Sequence, residues 1–114
     1  MIKPAYLHEM IHRYEFVPQA IIAEPVYELA KRFGSTVENG YDDLDEYQGA
    51  AAWLDSLPFT VMQYKGHPRN TSTIYLPFDI REVDEITKII SRITSELKVP
   101  PKLVRWQRKD DPEL

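Results

Sequence analysis

The chain has 114 residues, 43% of them hydrophobic and 28% charged, with a formal net charge of −4 and no cysteine. That length accommodates one core, so a single domain over 1–114 is expected, and the missing thiols exclude disulfides, thiolate catalysis and cysteine-ligated zinc or iron–sulfur centres. A net negative chain is a poor general nucleic-acid binder, and Lys3, His8, Glu9, His12 and Arg13 interrupt the first residues before an apolar run reaches signal-peptide or membrane-span length, so a cytoplasmic protein without membrane association is expected.

Leu7, Met10, Ile11 and Tyr14 follow the i, i+3, i+4, i+7 spacing of a helical face and predict a helix from about 4 to 15, with Pro4 in its first turn. Tyr6, His8, Met10, His12, Tyr14 and Phe16 also alternate, as one side of a strand would. A second helix is predicted from 25 to 33, with Val26, Leu29, Ala30 and Phe33 inward and Gly34 just past its end. Residues 35 to 40 carry turn signals and predict a surface loop, with Asn39-Gly40 as a tight turn. A third helix is expected from about 42 to 57, with Leu44, Tyr47, Ala51, Leu54 and Trp53 toward the core, stopped by Pro58.

The second half reads more plainly. Residues 59–64 and 73–76 are β-branched and aromatic, and the Gly66-His67-Pro68-Arg69-Asn70 turn cluster between them predicts a hairpin over 58–78. Asp79 and Glu82 have the spacing of a capping box ahead of a helix over 80–98, whose inward stripe is Val83, Ile86, Ile90, Ile93 and Leu97, widened by Ile89. Pro100-Pro101 ends it, and alternation predicts a last strand over 102–108. A right-handed crossover makes this strand parallel to the one at 73–78, with a gap between them that residues 10–17 or 35–39 would fill. The fold class is therefore α+β, a ferredoxin-like or related sheet with N-terminal helices packed on it.

His8-Glu9-Met10-Ile11-His12 matches the HExxH pattern and, over these five residues, resembles the zincin metallohydrolases. The resemblance implies His8 and His12 as zinc ligands and Glu9 as the base acting on metal-bound water. Only seven residues precede His8, whereas the family's cleft-forming strands come before the motif, and Arg13 follows where the family usually has uncharged residues. Pro18 occupies the place of the third His of the extended metzincin pattern, which leaves Glu24 or Glu28 as third ligand. The alternative is an ordinary amphipathic segment with both histidines at its polar border.

Two other clusters invite function. The loop Lys65 to Thr71 offers His67, Arg69 and Asn70 as anion or ligand contacts, without matching any phosphate-binding signature. Glu38, Asp42, Asp43, Asp45 and Glu46 suggest a solvated helix start or a surface for a basic partner, and lack the spacing of a calcium loop. Trp53, Trp106, Tyr64, Tyr75 and Tyr14 are candidates for an apolar pocket or an oligomer interface. No family pattern covers the whole length. The expected function is a small cytoplasmic, non-catalytic binding or accessory protein without cofactor, taking a small ligand or protein partner and pairing as a homodimer; the alternative is a zinc-dependent hydrolase.

Overall fold

The computed structural model describes residues 1–41 and 45–108. Among them, seven strands form one antiparallel sheet, and three helices lie on its two faces. The strands are β1 (Ile2–Ala5), β2 (Phe16–Ile22), β3 (Glu38–Tyr41), β4 (Glu46–Leu54), β5 (Leu57–Tyr64), β6 (Ser72–Pro77) and β7 (Val104–Gln107). The helices are α1 (Leu7–Arg13), α2 (Val26–Phe33) and α3 (Val83–Glu96). Their order across the sheet is β1-β4-β5-β6-β2-β7, and β3 lies end to end with β1 along the same edge of β4. No helix of the described residues is long and apolar enough to cross a membrane.

The hairpin, the long helix and the last strand all form, though the helix starts at Val83 and the strand only at Val104, after a 3-10 turn over Pro101–Leu103. β5 and β6 pair antiparallel, and α3 buries Ile86, Ile90 and Ile93. Both β6 and β7 pair antiparallel with β2, so they run parallel to each other with β2 in the gap. The filling strand starts at Phe16, later than residues 10–17 suggested, and it accepts Pro18 because its register to β6 slips between Pro18 and Ala20. α2 buries Val26, Leu29, Ala30 and Phe33, and Gly34 ends it at φ +75°, a left-handed conformation that glycine adopts without cost from a Cβ.

Four expectations are corrected. Residues 2–5 are a strand and helix α1 begins at Leu7; Pro4 sits in edge strand β1, where a missing N–H is tolerated. The loop expected at 35–40 contains β3, and Asn39-Gly40 is extended: a Cβ on Gly40 would lie 2.7 Å from the Tyr47 hydroxyl, so glycine there admits the ring. The third helix, whose first residues fall outside the described ones, is strand β4 from Glu46. Ala50, Ala52 and Leu54 point to one face of the sheet while Tyr47, Gly49, Ala51 and Trp53 point to the other. Small residues are required because helices lie on both sides of this strand, and that burial outweighs the helix preference of alanine. Finally, α3 starts from Glu82 with no side-chain cap, so Asp79 does not open the helix as a capping box would.

The main core lies between the sheet and α2 with α3: Ala20, Ile22, Phe59, Val61, Ile74 and Leu76 meet Leu29, Phe33, Ile86, Ile90 and Ile93. Arg32 ties this layer together, holding Glu24 through Nε and a second nitrogen at 2.7 and 3.0 Å and donating to the Leu97 carbonyl. At the β4–β5 turn, Asp55 lies beside the Met1 ammonium and Arg92, whose hydrogen bonds hold its carboxyl below the usual carboxylate range.

Candidate functional site

The opposite face of the sheet is covered by α1. Its seven residues make a helix about 10 Å long, shorter than the roughly 24 Å that six strand positions span. Leu7 and Met10 dock it onto β4, where Gly49 leaves the space: a Cβ there would come 2.7 Å from Leu7 Cδ2. The Glu38 carboxylate accepts hydrogen bonds from the backbone N–H groups of Leu7 and His8 and lies 2.7 Å from His8 Nδ1, which anchors the first turn.

Beside α1 the sheet carries a hollow of about 290 Å³. Alternation along β5 turns Thr60, Met62 and Tyr64 to this face; Thr60 stands opposite Ala51 of β4 and Tyr75 of β6, and Tyr64 stands opposite Tyr47. Ile11 from α1, Tyr14 just past the helix end and Phe16 of β2 form one wall, and Tyr41 stands at the rim. The rings brace each other edge to face: Tyr14 against Phe16 at 6.1 Å and Trp53 at 6.2 Å, and Tyr47 against Tyr64 at 5.7 Å. Thr60 is fully buried and its hydroxyl has no hydrogen-bond partner among the described residues. Leaving such a group unsatisfied costs about 1–3 kcal/mol.

Tyr41, Tyr47 and Tyr64 are also a wall of an adjoining cleft of about 470 Å³, which Lys65, His67, Arg69 and Glu46 line. The His67 ring rests on Tyr64 at 5.6 Å. Gln63 Nε2 and the Thr71 hydroxyl both donate to the Pro68 carbonyl, and Asn70 takes a left-handed φ of +60°, so the loop above the cleft has a defined path.

Of the three loop residues marked in the sequence, His67 and Arg69 thus face one cleft, and Asn70 shapes the turn beside it. Tyr14, Tyr64 and Tyr75 do line a pocket, whereas Trp106 is 42% exposed on β7. The HExxH residues separate into other roles. His8 binds Glu38, His12 is exposed, and Glu9 lines a third hollow of about 380 Å³ with Arg13 and Trp53. Glu24, one of the two downstream carboxylates, is engaged by Arg32, and no three His, Asp or Glu side chains among the described residues converge as a metal site. In the acidic cluster, Asp42 and Asp43 lie outside the described residues, Glu38 belongs to β3, and Asp45 accepts from the Glu46 N–H. Sequence reasoning missed Thr60, Tyr47 and Phe16; the available signal was the alternation of β5, which places Thr60 on the face of Met62 and Tyr64.

Comparison of the chain with protein-family models, with curated proteins and with solved structures finds no match. The fold is an α+β sheet with α2 and α3 on one face and α1 beside an aromatic hollow on the other.

Proposed function

We propose that the chain is a small non-catalytic binding protein that holds an aromatic small molecule in the hollow beside α1. The observation that carries this reading is the hollow itself, a space whose described lining bears no formal charge and is walled by Tyr14, Phe16, Tyr47, Tyr64 and Tyr75. Volume agrees: a cavity of about 150 Å³ admits a benzene ring, so 290 Å³ suits a substituted or two-ring compound. The described lining carries no carboxylate, imidazole or amine, and its polar side chains are tyrosine and threonine hydroxyls, which favours a neutral aromatic guest. The test is an NMR titration of isotopically labelled protein with hydroxylated one- and two-ring aromatics; saturable binding that Tyr75→Ala abolishes is expected, and no binding by any of them overturns the reading.

The same proposal takes β5-β6-β2-β7 with α2 and α3 as a ferredoxin-like unit. What supports it is the strand order, with α2 following β2 and α3 joining β6 to β7 on one face, while β3 and β4 intervene between α2 and β5. β1, β3 and β4 extend that unit on the β5 side, and α1 lies on the other face.

Trp106 on edge strand β7 favours a homodimer paired through that edge, because an exposed aromatic on an open strand is an adhesive feature. Light scattering at micromolar concentration is expected to give twice the chain mass; the mass of one chain contradicts the pairing. The protein is read as cytoplasmic on its cysteine-free composition.

A further inference from the structure

We infer that the third hollow, beside Trp53, is a binding site of its own that takes a free amino acid, with the ammonium on Glu9, the carboxylate on Arg13 and an apolar side chain on Trp53. This site is separate from the aromatic hollow, and either reading can fail without the other.

Its walls come from three parts of the fold. β4 supplies Trp53, which turns to the face that carries α1, and β1 supplies Ala5 beside it. Helix α1 supplies Glu9 and Arg13. The third wall is the segment Gly34-Ser35-Thr36, which leads from α2 to β3. That segment is fixed at both backbone and side chain: the Ser35 N–H donates to the Ala30 carbonyl at 3.0 Å, and its hydroxyl donates to the Ala51 carbonyl at 2.6 Å. The space is therefore formed in advance, as ligand sites commonly are.

Charge selects the ligand. Glu9 and Arg13 are spaced i, i+4 with the acid nearer the helix start, the arrangement that favours a direct ion pair. They do not form one. Neither has an ion-pair partner among the described residues, and the Arg13 guanidinium lies instead over the Tyr14 ring, 5.7 Å from its centroid. The hollow thus offers one negative and one positive group a helical turn apart, with Cβ atoms about 5–6 Å from each other. A lone cation would meet Arg13, a lone anion would meet Glu9, and a neutral molecule would use neither. A molecule with an ammonium and a carboxylate on one carbon uses both.

Nearby charges leave this balance in place. His8 is paired with Glu38, while His12 and Lys3 do not line the hollow. Asp45 and Glu46 stand at the far end of β4, seven or more positions from Trp53 and so roughly 24 Å away, and β7 lies four strands across the sheet. Size sets the side chain. About 380 Å³ is more than twice the roughly 150 Å³ that admits a benzene ring, so a ring-sized side chain fits together with its charged head.

The test is an NMR titration with L-phenylalanine, N-acetyl-L-phenylalanine and L-phenylalaninamide, read at the Trp53 indole and at the amides of residues 9–13 and 34–36. Phenylalanine is expected to bind about fivefold tighter than either derivative, the scale of exposed ion pairs, with an advantage that shrinks as salt is added. Glu9→Gln should lower phenylalanine to the level of its acetyl derivative, and Arg13→Gln to that of its amide. Both side chains are exposed, so neither variant should move the melting temperature. Equal affinity for the three compounds, full binding by both variants, or no binding of phenylalanine overturns the site. Shifts centred on Met62 and Tyr75 place the amino acid in the aromatic hollow and overturn it as well.

Discussion

At Thr60, strand pairing and side-chain chemistry are mismatched. Its backbone belongs in β5, and threonine is a good strand former, so nothing in the local pattern marks it. Only when Ala51 and Tyr75 come alongside does its hydroxyl lose water without gaining a partner. Thr60→Val keeps the shape and removes the polar atom. The protein should therefore gain about 1–2 kcal/mol in urea unfolding. A variant destabilised by that amount would mean that the hydroxyl is satisfied after all. Tyr47 was similarly hidden, since its importance comes from lying across Gly40 of another strand.

At the scale of elements, legibility followed the agreement between periodicity and burial. α2 and α3 each bury one stripe, and the β5–β6 hairpin is framed by its turn residues, so their sequences state their structures. β4 does not. Its central residues are Gly49 and three alanines, which carry almost no hydrophobic contrast between faces, and alanine's helix preference filled the silence. The informative residue was Gly49, unfavourable in a helix interior and needed here beneath Leu7. Gly49→Ala should cost about 1–3 kcal/mol by overpacking. It should also speed amide exchange across Leu7–Arg13 selectively, because α1 rests on that spot. Unchanged exchange in α1 would show that its docking does not depend on the close approach.

On the scale of the whole molecule, the sheet has unequal faces. Two amphipathic helices seal one, and a two-turn helix leaves aromatic surface on the other, so the hollow arises from an imbalance in cover. That imbalance could not be read from the chain, because the segment that became α1 also reads as a strand and the segment that became β4 reads as a helix. Within the HExxH match, His8 lies against Glu38 and ties the start of α1 to β3. The proposal that this hollow binds an aromatic molecule is tested by mapping amide and methyl shifts during titration with 4′-hydroxybiphenyl-4-carboxylate. Saturable changes centred on Ile11, Thr60, Met62, Tyr64 and Tyr75, with the α2–α3 face silent, are predicted. Changes centred on Ile86, Ile90 and Ile93, or none at all, would contradict it.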